Sequence, residues 1–322
     1  MKIQKLRAML ATALLFAAGA SHAQSFPSQQ IRIVAPYPAG GSADLMSRDI
    51  AAGLGKIYPQ PVIVENKPGA GGHLGAEFVV KAPPDGYTLM LGTISHHGAY
   101  KMYKKLRYNP ATDLQTVCLI AESFNVLVVR EGLPVKNVAE LIALARKEPG
   151  KLTYASAGAG SATHMAAELF KYMTKVDILA IPFKGGAPAQ VATMGGQVDV
   201  NFDTAGTVGP AIRSGKVRAL AVTTPARSPS FPDLPSVAEA GVPGYAAVPW
   251  YTISTGSKVP AEIVRKLNAD INAVLKTPEL AKRWEVLGVV PMGGTPEDAQ
   301  RRNQEEIRRW EAVIDAAKIQ VE

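Results

Sequence analysis

The 322-residue chain has one cysteine, Cys118, so no disulfide can form within it and its fold must rest on ordinary packed cores. Beyond the first 23 residues no apolar run approaches the ~20 residues needed to span a bilayer. Aromatic residues make up only 7% of the chain, and basic residues fall in scattered pairs such as Lys104 with Lys105 and Arg308 with Arg309. A nucleic-acid surface would need a basic stripe with interleaved aromatics, so that partner class is excluded. The formal charge of +8 becomes +5 once Lys2, Lys5 and Arg7 of the leading segment are set aside. Nucleotide motifs are missing too. Leu74 stands where a dinucleotide fingerprint begun by Gly69 and Gly71 needs its third glycine, and no Gly-Lys-Ser/Thr follows any turn. Neither HExxH nor GxSxG occurs.

Residues 1–23 have the pattern of a secretory signal. Lys2, Lys5 and Arg7 form its charged start, residues 9–18 its apolar centre, and Ser21, His22 and Ala23 its small-residue cleavage site. Cleavage after Ala23 leaves Gln24 first, where a lipoprotein would need cysteine. The mature protein is expected in the periplasm, and its length suggests about two domains.

What the chain does contain is one unit in four copies: a short hydrophobic run, a turn of small residues, then an amphipathic stretch. The turns are Pro38, Ala39, Gly40, Gly41 and Ser42 after residues 31–35, and Asn66, Pro68, Gly69, Gly71 and Gly72 after residues 62–64. They recur as Ser156, Gly158, Gly160 and Ser161 after residues 152–155, and as Lys184, Gly185 and Gly186 after residues 179–181. The first N–H groups of a helix lack internal partners, and the macrodipole places about half a positive charge there, so each turn is a candidate cradle for carboxylate or phosphate. A single glycine-rich turn could equally be a tight connection; four that converge favour a ligand.

Strand-like runs alternating with helical stretches predict an α/β fold of right-handed βαβ units, with a mixed, mostly parallel sheet in each of two lobes. Asn137 with Glu140 and Thr295 with Asp298 have capping-box spacing, and Pro149 with Gly150 marks a stop. Residues 126–130 and 250–254 read as crossings between lobes. They divide the chain into lobe 1 (24–125 and 247–322) and lobe 2 (126–246), with the crevice between lobes as the default ligand site.

Other polar residues carry two readings each. Asp203 ends a run in which Val198, Val200 and Phe202 face one way and Asp199, Asn201 and Asp203 the other; it could reach a ligand, or cap the turn through Thr204 and Gly206. Asp44 suits a first helical turn and an i,i+4 pair with Arg48. His96 and His97, read as strand neighbours, would point to opposite faces, which argues against a metal. Ser95 beside them could be a nucleophile only with triad geometry. Trp250 and Tyr251 read as hinge or core aromatics.

Six segments carry a family resemblance: residues 36–44 (PYPAGGSAD), 66–72 (NKPGAGG), 84–91 (PDGYTLML), 154–170 (YASAGAGSATHMAAELF), 183–203 (FKGGAPAQVATMGGQVDVNFD) and 234–245 (LPSVAEAGVPGY). In order and over the whole mature chain, they resemble the Bug-type receptors, the extracytoplasmic solute-binding proteins of tripartite tricarboxylate transporters. The resemblance implies a two-lobed, type II periplasmic-binding (Venus flytrap) fold that closes on a small organic acid and hands it to integral-membrane transporter subunits. It further implies a monomer without enzymatic activity, cofactor or metal, although an exported enzyme or a sensory receptor could use the same scaffold. Carried over by position, lobe 1 would supply Ala39, Gly40, Gly41, Ser42, Asp44, Gly71, Gly72 and Thr93. Lobe 2 would supply Ser156, Ala157, Gly158, Ser161, Thr163 and His164, with Lys184, Gly185 and Asp203 opposite.

Overall fold

The computed structural model describes residues 26–320; the segment read as an export signal lies outside them. The chain opens with β1 (Ile31–Ala35), α1 (Ser42–Leu54), β2 (Val62–Asn66), α2 (His73–Val80), β3 (Thr88–Gly92), the one-turn α3 (Ile94–His97), α4 (Pro110–Asp113) and β4 (Leu114–Glu122). It crosses into β5 (Asn125–Arg130), α5 (Val138–Lys147), β6 (Thr153–Ser156), α6 (Ala162–Thr174), β7 (Leu179–Pro182), α7 (Gly186–Met194), β8 (Val200–Thr204), α8 (Ala205–Arg213) and β9 (Val217–Val222). It returns through β10 (Trp250–Gly256), α9 (Ala261–Leu275), α10 (Pro278–Val286), β11 (Val290–Pro291) and α11 (Pro296–Ala317).

Two mixed sheets result. The larger has the order β11-β4-β10-β3-β1-β2 and the smaller β7-β6-β8-β5-β9. They are less parallel than the repeated βαβ pattern predicts. The pairs β1–β2, β1–β3, β6–β7 and β6–β8 are parallel, whereas β10 runs against β3 and β4, β11 against β4, and β5 against β8 and β9. The strands that carry the chain between lobes reverse its direction, so each sheet gains an antiparallel part.

Local chemistry sets the helix limits. Asn137 accepts the Glu140 N–H at 2.8 Å and donates to its carboxylate at 2.9 Å, starting α5 where the spacing places it. Thr295 and Asp298 form the same reciprocal pair at the start of α11. Val264, Leu267, Ile271, Val274 and Leu275 bury one stripe of α9 in a core with Ile33, Met46, Leu89 and Trp284 beneath the larger sheet. A second core gathers Leu127, Tyr154, Phe170, Phe202 and Tyr245. Val198 precedes β8 and packs with Ala155, Ala189 and Ala192 instead of with Val200 and Phe202, so the expected alternation begins only at Val200.

The second core also takes in Ile94 and Met102 from the first third of the chain, and Trp310 and Ile314 from α11. α11 therefore packs on β4 with its first half and on the second core with its last turns, where the Arg309 guanidinium reaches the Ala246 carbonyl. The crossings lie side by side: Ser123 donates its N–H to Pro249 O at 2.9 Å, and Thr223 to Asn125 O at 2.9 Å. The strands read as crossings, β5 and β10, lie in different sheets and do not pair with each other; the segments that connect them to β4 and β9 are bonded side by side, with α11 as a third connection.

One buried polar pair ties α1 to α10. Asp49 accepts the Trp284 indole N–H at 2.9 Å and pairs with Arg283 at 3.0 Å. An Asp49→Ala substitution orphans the sealed indole N–H, so urea unfolding should show a loss of about 2 kcal/mol.

Candidate functional site

The Pro38–Gly41 turn is held by side chains behind it. Asp44 accepts the Gly40 N–H at 3.0 Å, Arg48 Nε at 3.0 Å and Asn66 Nδ2 at 2.9 Å, while Asn66 also donates to Tyr37 O at 3.0 Å. Burial alone would raise the Asp44 pKa, but the bonds from Arg48, Gly40 and Asn66 outweigh it and hold the carboxyl below its usual range. Both carboxylate oxygens are thus spent on the turn. The N–H groups of Ser42 and Ala43, at the start of α1, have no acceptor earlier in that helix.

A matching bracket forms after β6. Thr163 Oγ1 accepts the Ala157 N–H at 2.8 Å, His164 Nδ1 accepts that of Gly160 at 3.3 Å, and Ser161 Oγ accepts that of His164 at 3.3 Å. Gly158 and Gly160 adopt φ of +113° and +71°, which lets the loop fold tightly enough for these side chains to reach back over it. α7 starts at Gly186 after Gly185, whose φ of +129° brings the chain against Pro38 of the other lobe.

Between these starts lies a cavity of about 60 Å³, several times the roughly 10–15 Å³ that one water needs. The residues preceding α1, α3, α6, α7 and α8, namely Gly41, Thr93, Ser161, Gly185 and Thr204, all line it. No carboxylate, lysine, arginine or histidine lines it; the remaining wall is Tyr37, Pro38, Ser42, Ala43, Ile94, Ala157, Ala162, Thr163, Gly186, Ala187, Pro188, Pro249, Trp250 and Tyr251. The lobes touch across it. Ser42 Oγ donates to Thr204 Oγ1 at 3.0 Å, and Gly206 lies so close to Leu287 that an added Cβ would sit 3.1 Å from its carbonyl oxygen. This is a closed arrangement.

Of the residues named from sequence, Gly41, Ser42, Thr93, Ala157, Ser161, Thr163 and Gly185 meet at this cavity. Asp44 and His164 stand behind the turns they hold. Ala39, Gly40 and Lys184 are exposed outside it, Ser156 ends β6, and Gly158 lies in the loop that follows. Gly71 and Gly72 form the second turn, which supports instead of lining: Gly71 O accepts the Tyr37 hydroxyl at 3.1 Å, and Gly72 packs on His96. Asp203 is turned toward α8, where its Oδ1 accepts from Thr207 Oγ1 at 2.8 Å, while its Oδ2 has no partner among the described residues. Burial raises the Asp203 carboxyl to about 7.

Sequence reading missed Thr204, Pro249, Trp250 and Tyr251. Their signal was position: Thr204 ends a strand, and ligands of α/β sheets sit at strand ends, while the other three open the returning crossing. His96 and His97 are not strand neighbours but belong to α3, because the Thr93 N–H donates to His96 Nδ1 at 3.1 Å and closes a helical turn. His97 Nε2 meets Thr252 Oγ1 at 3.0 Å, and His73 meets Tyr108 at 2.7 Å and Ser95 Oγ at 3.4 Å. Ser95 is fully buried outside the cavity wall. Among the described residues no three His, Cys, Asp or Glu side chains form a metal-holding group.

These buried groups set opposing pH slopes. Burial depresses His73, His96 and His97 to about 2, 4 and 3, so the stability of their neutral forms is complete above 6.5 and is lost as pH falls. Asp203 acts oppositely: its pKa is raised, so its contribution is full below about 4 and is lost as pH rises toward 7. Asp203→Asn should therefore gain on the wild type between pH 5 and 7 by about 1.4 kcal/mol per pH unit, read as the difference in urea unfolding free energy.

Comparison with known proteins agrees with this architecture. The family model described as "Tripartite tricarboxylate transporter family receptor" matches residues 46–319. Protein BugT of Bordetella pertussis is 34% identical over 294 residues, 91% of this chain and 90% of its own. An R. palustris protein solved with adipate superposes with a TM-score of 0.88 at 40% identity, covering 91% of this chain and 98% of that one. MatC from Rhodopseudomonas palustris with bound malate gives 0.86 at 35%, covering 90% and 100%. The chain belongs to the tripartite tricarboxylate transporter receptor family.

Proposed function

We propose that the protein is a periplasmic solute-binding receptor that closes two lobes, 24–125 with 247–322 and 126–246, on a small carboxylate and delivers it to integral-membrane transporter subunits. The observation that carries this reading is the meeting of the α1, α6 and α7 starts at one cavity without a carboxylate, lysine, arginine or histidine in its wall. Each start contributes about half a positive charge, and the inward N–H groups can hold carboxylate oxygens directly. Relatives solved with adipate and malate support the same ligand class. Charge-assisted hydrogen bonds at roughly 1.5–3 kcal/mol each must outweigh an association cost of about 4–15 kcal/mol, so the grip requires both lobes.

Binding without chemistry fits the disposition of the acid–base groups. Asp203, His164 and Ser95 lie outside the cavity wall, and His164 and Asp203 hold their own loops. We further propose that the receptor is exported with cleavage after Ala23 and acts as a monomer without a cofactor.

The test is ligand-dependent stabilisation of purified protein by mono-, di- and tricarboxylates, with the acids recovered unchanged. Stabilisation should rise as RT ln(1 + [L]/Kd). Gly206→Val places a branched side chain against Leu287 and should hold the lobes apart, weakening binding by about tenfold or more, with an expanded scattering profile in the presence of ligand. Undiminished affinity in that variant would refute capture by closure.

A further inference from the structure

Three hydroxyl groups join the cavity to a buried carboxyl. Ser42, at the start of α1, donates to Thr204 Oγ1 at 3.0 Å across the lobes; Thr204 Oγ1 lies 3.0 Å from Thr207 Oγ1, and Thr207 donates to Asp203 Oδ1 at 2.8 Å. Ser42 and Thr204 line the cavity, whereas Thr207 and Asp203 stand behind it. Each hydroxyl has one proton to give. Because Thr207 spends its own on Asp203 and Ser42 spends its own on Thr204, the middle bond is donated by Thr204. All three protons therefore point away from the cavity, toward the carboxylate.

A bound anion competes for that chain from its other end. The Ser42 hydroxyl belongs to the same helix start whose Ser42 and Ala43 amides have no acceptor earlier in α1, so a carboxylate seated there has its proton within reach. Ionised Asp203 holds the chain in its present direction, since reversal would strip Oδ1 of its donor. A proton on Oδ1 removes that hold. The carboxyl then donates to Thr207, Thr207 is free to turn to Thr204 and Thr204 to Ser42, and the Ser42 hydroxyl is released to the cavity. Oδ1 is the oxygen that takes the proton, because Oδ2 has no partner among the described residues to which it could donate.

The surroundings allow this carboxyl to change charge. Asp203 is 1% exposed. Beside it α7 carries no titratable residue, α8 only Arg213 at its far end, β6 only Tyr154, which packs in the second core, and β5 only Arg130, whose guanidinium is bonded to Asp199. At the other end of the chain, Asp44 and Asp49 of α1 are paired with Arg48 and Arg283. Burial, offset only in part by Thr207, the Thr204 amide and Gln190, lifts Asp203 to about 7.

Resting on the receptor reading above, we propose that carboxylate capture is coupled to uptake of a proton from solvent by Asp203, relayed through Thr207 and Thr204, so that Ser42 turns its hydroxyl to the bound anion. Asp203 and Thr207 are positioning residues, acting on the ligand only through what Ser42 can offer it. The complex holds more protons than the free protein, so affinity falls as pH rises above 7.

Calorimetry on the mature protein with butyrate, succinate and adipate between pH 6.5 and 8.5 tests this, because these acids stay ionised and His73, His96 and His97 stay neutral throughout. Run in HEPES and in Tris, whose ionisation heats differ, binding at pH 7.5 should reveal uptake of about half a proton or more per bound acid, and Kd should rise above pH 7 by up to about tenfold per pH unit. Asp203→Asn, whose amide can donate to Thr207 at every pH, should show no uptake, a flat Kd, and tighter binding than the wild type at pH 8.5. Ser42→Ala should bind more weakly and take up less than half as much proton. Binding heat that does not depend on the buffer, uptake that persists in Asp203→Asn, or undiminished uptake in Ser42→Ala overturns the relay while leaving capture intact. If none of the three acids binds at any pH, the receptor reading itself falls and takes the relay with it.

Discussion

Main-chain N–H groups left unpaired at helix starts are the constraint on which this architecture depends. Such groups are costly to bury, so a chain that points several of them at one enclosed space must hold them rigidly and supply an acceptor there. Rigidity comes from side chains that fold back over their own turns: Asp44 and Asn66 in one lobe, Thr163 and His164 in the other. The most strongly polar residues near the cleft thus work behind the wall, and the wall itself is left to backbone, small side chains and aromatic rings.

Closure is limited by the same small residues. Gly185 meets Pro38 and Gly206 meets Leu287 at distances where any added side chain would collide, so the lobes come together backbone against backbone. The adjacent crossings, bonded to each other through Ser123 and Pro249, resemble a simple two-strand hinge. α11 complicates that picture, because its Trp310 and Ile314 are packed into the core of the lobe opposite its own start. The helix thus joins the two parts of the molecule at a third place besides the crossings.

Much of this was legible from residue order. Glycine and proline mark turns by conformational necessity, capping pairs mark helix starts by hydrogen-bond reach, and α9 and α11 declared their buried stripes through spacing. Sheet direction was less legible, since period-two patterning records burial but not whether a neighbour runs up or down, and β5 and β10 reversed the expectation. At the site, small residues of three turns line the cavity, while Asp44 and Asp203, which the sequence let stand either as ligand contacts or as partners of their own turns, and His164 stand behind it. A polar residue beside a glycine-rich turn has the same spelling whether it faces the ligand or braces the loop. Tyr251 carries both readings at once: it packs in the first core, as an aromatic in a β-prone run suggests, and also borders the cavity.

Dividing labour in this way separates two properties that side-chain recognition would fuse. On the receptor reading proposed above, the grip on charge resides in backbone geometry, which a substitution at Ile94, Ala187 or Trp250 would leave intact, whereas the shape and polarity of the permitted cargo reside in those replaceable side chains. A scaffold so built can drift from one acid to another by exchanging wall residues, without passing through an intermediate that has lost its hold on anions.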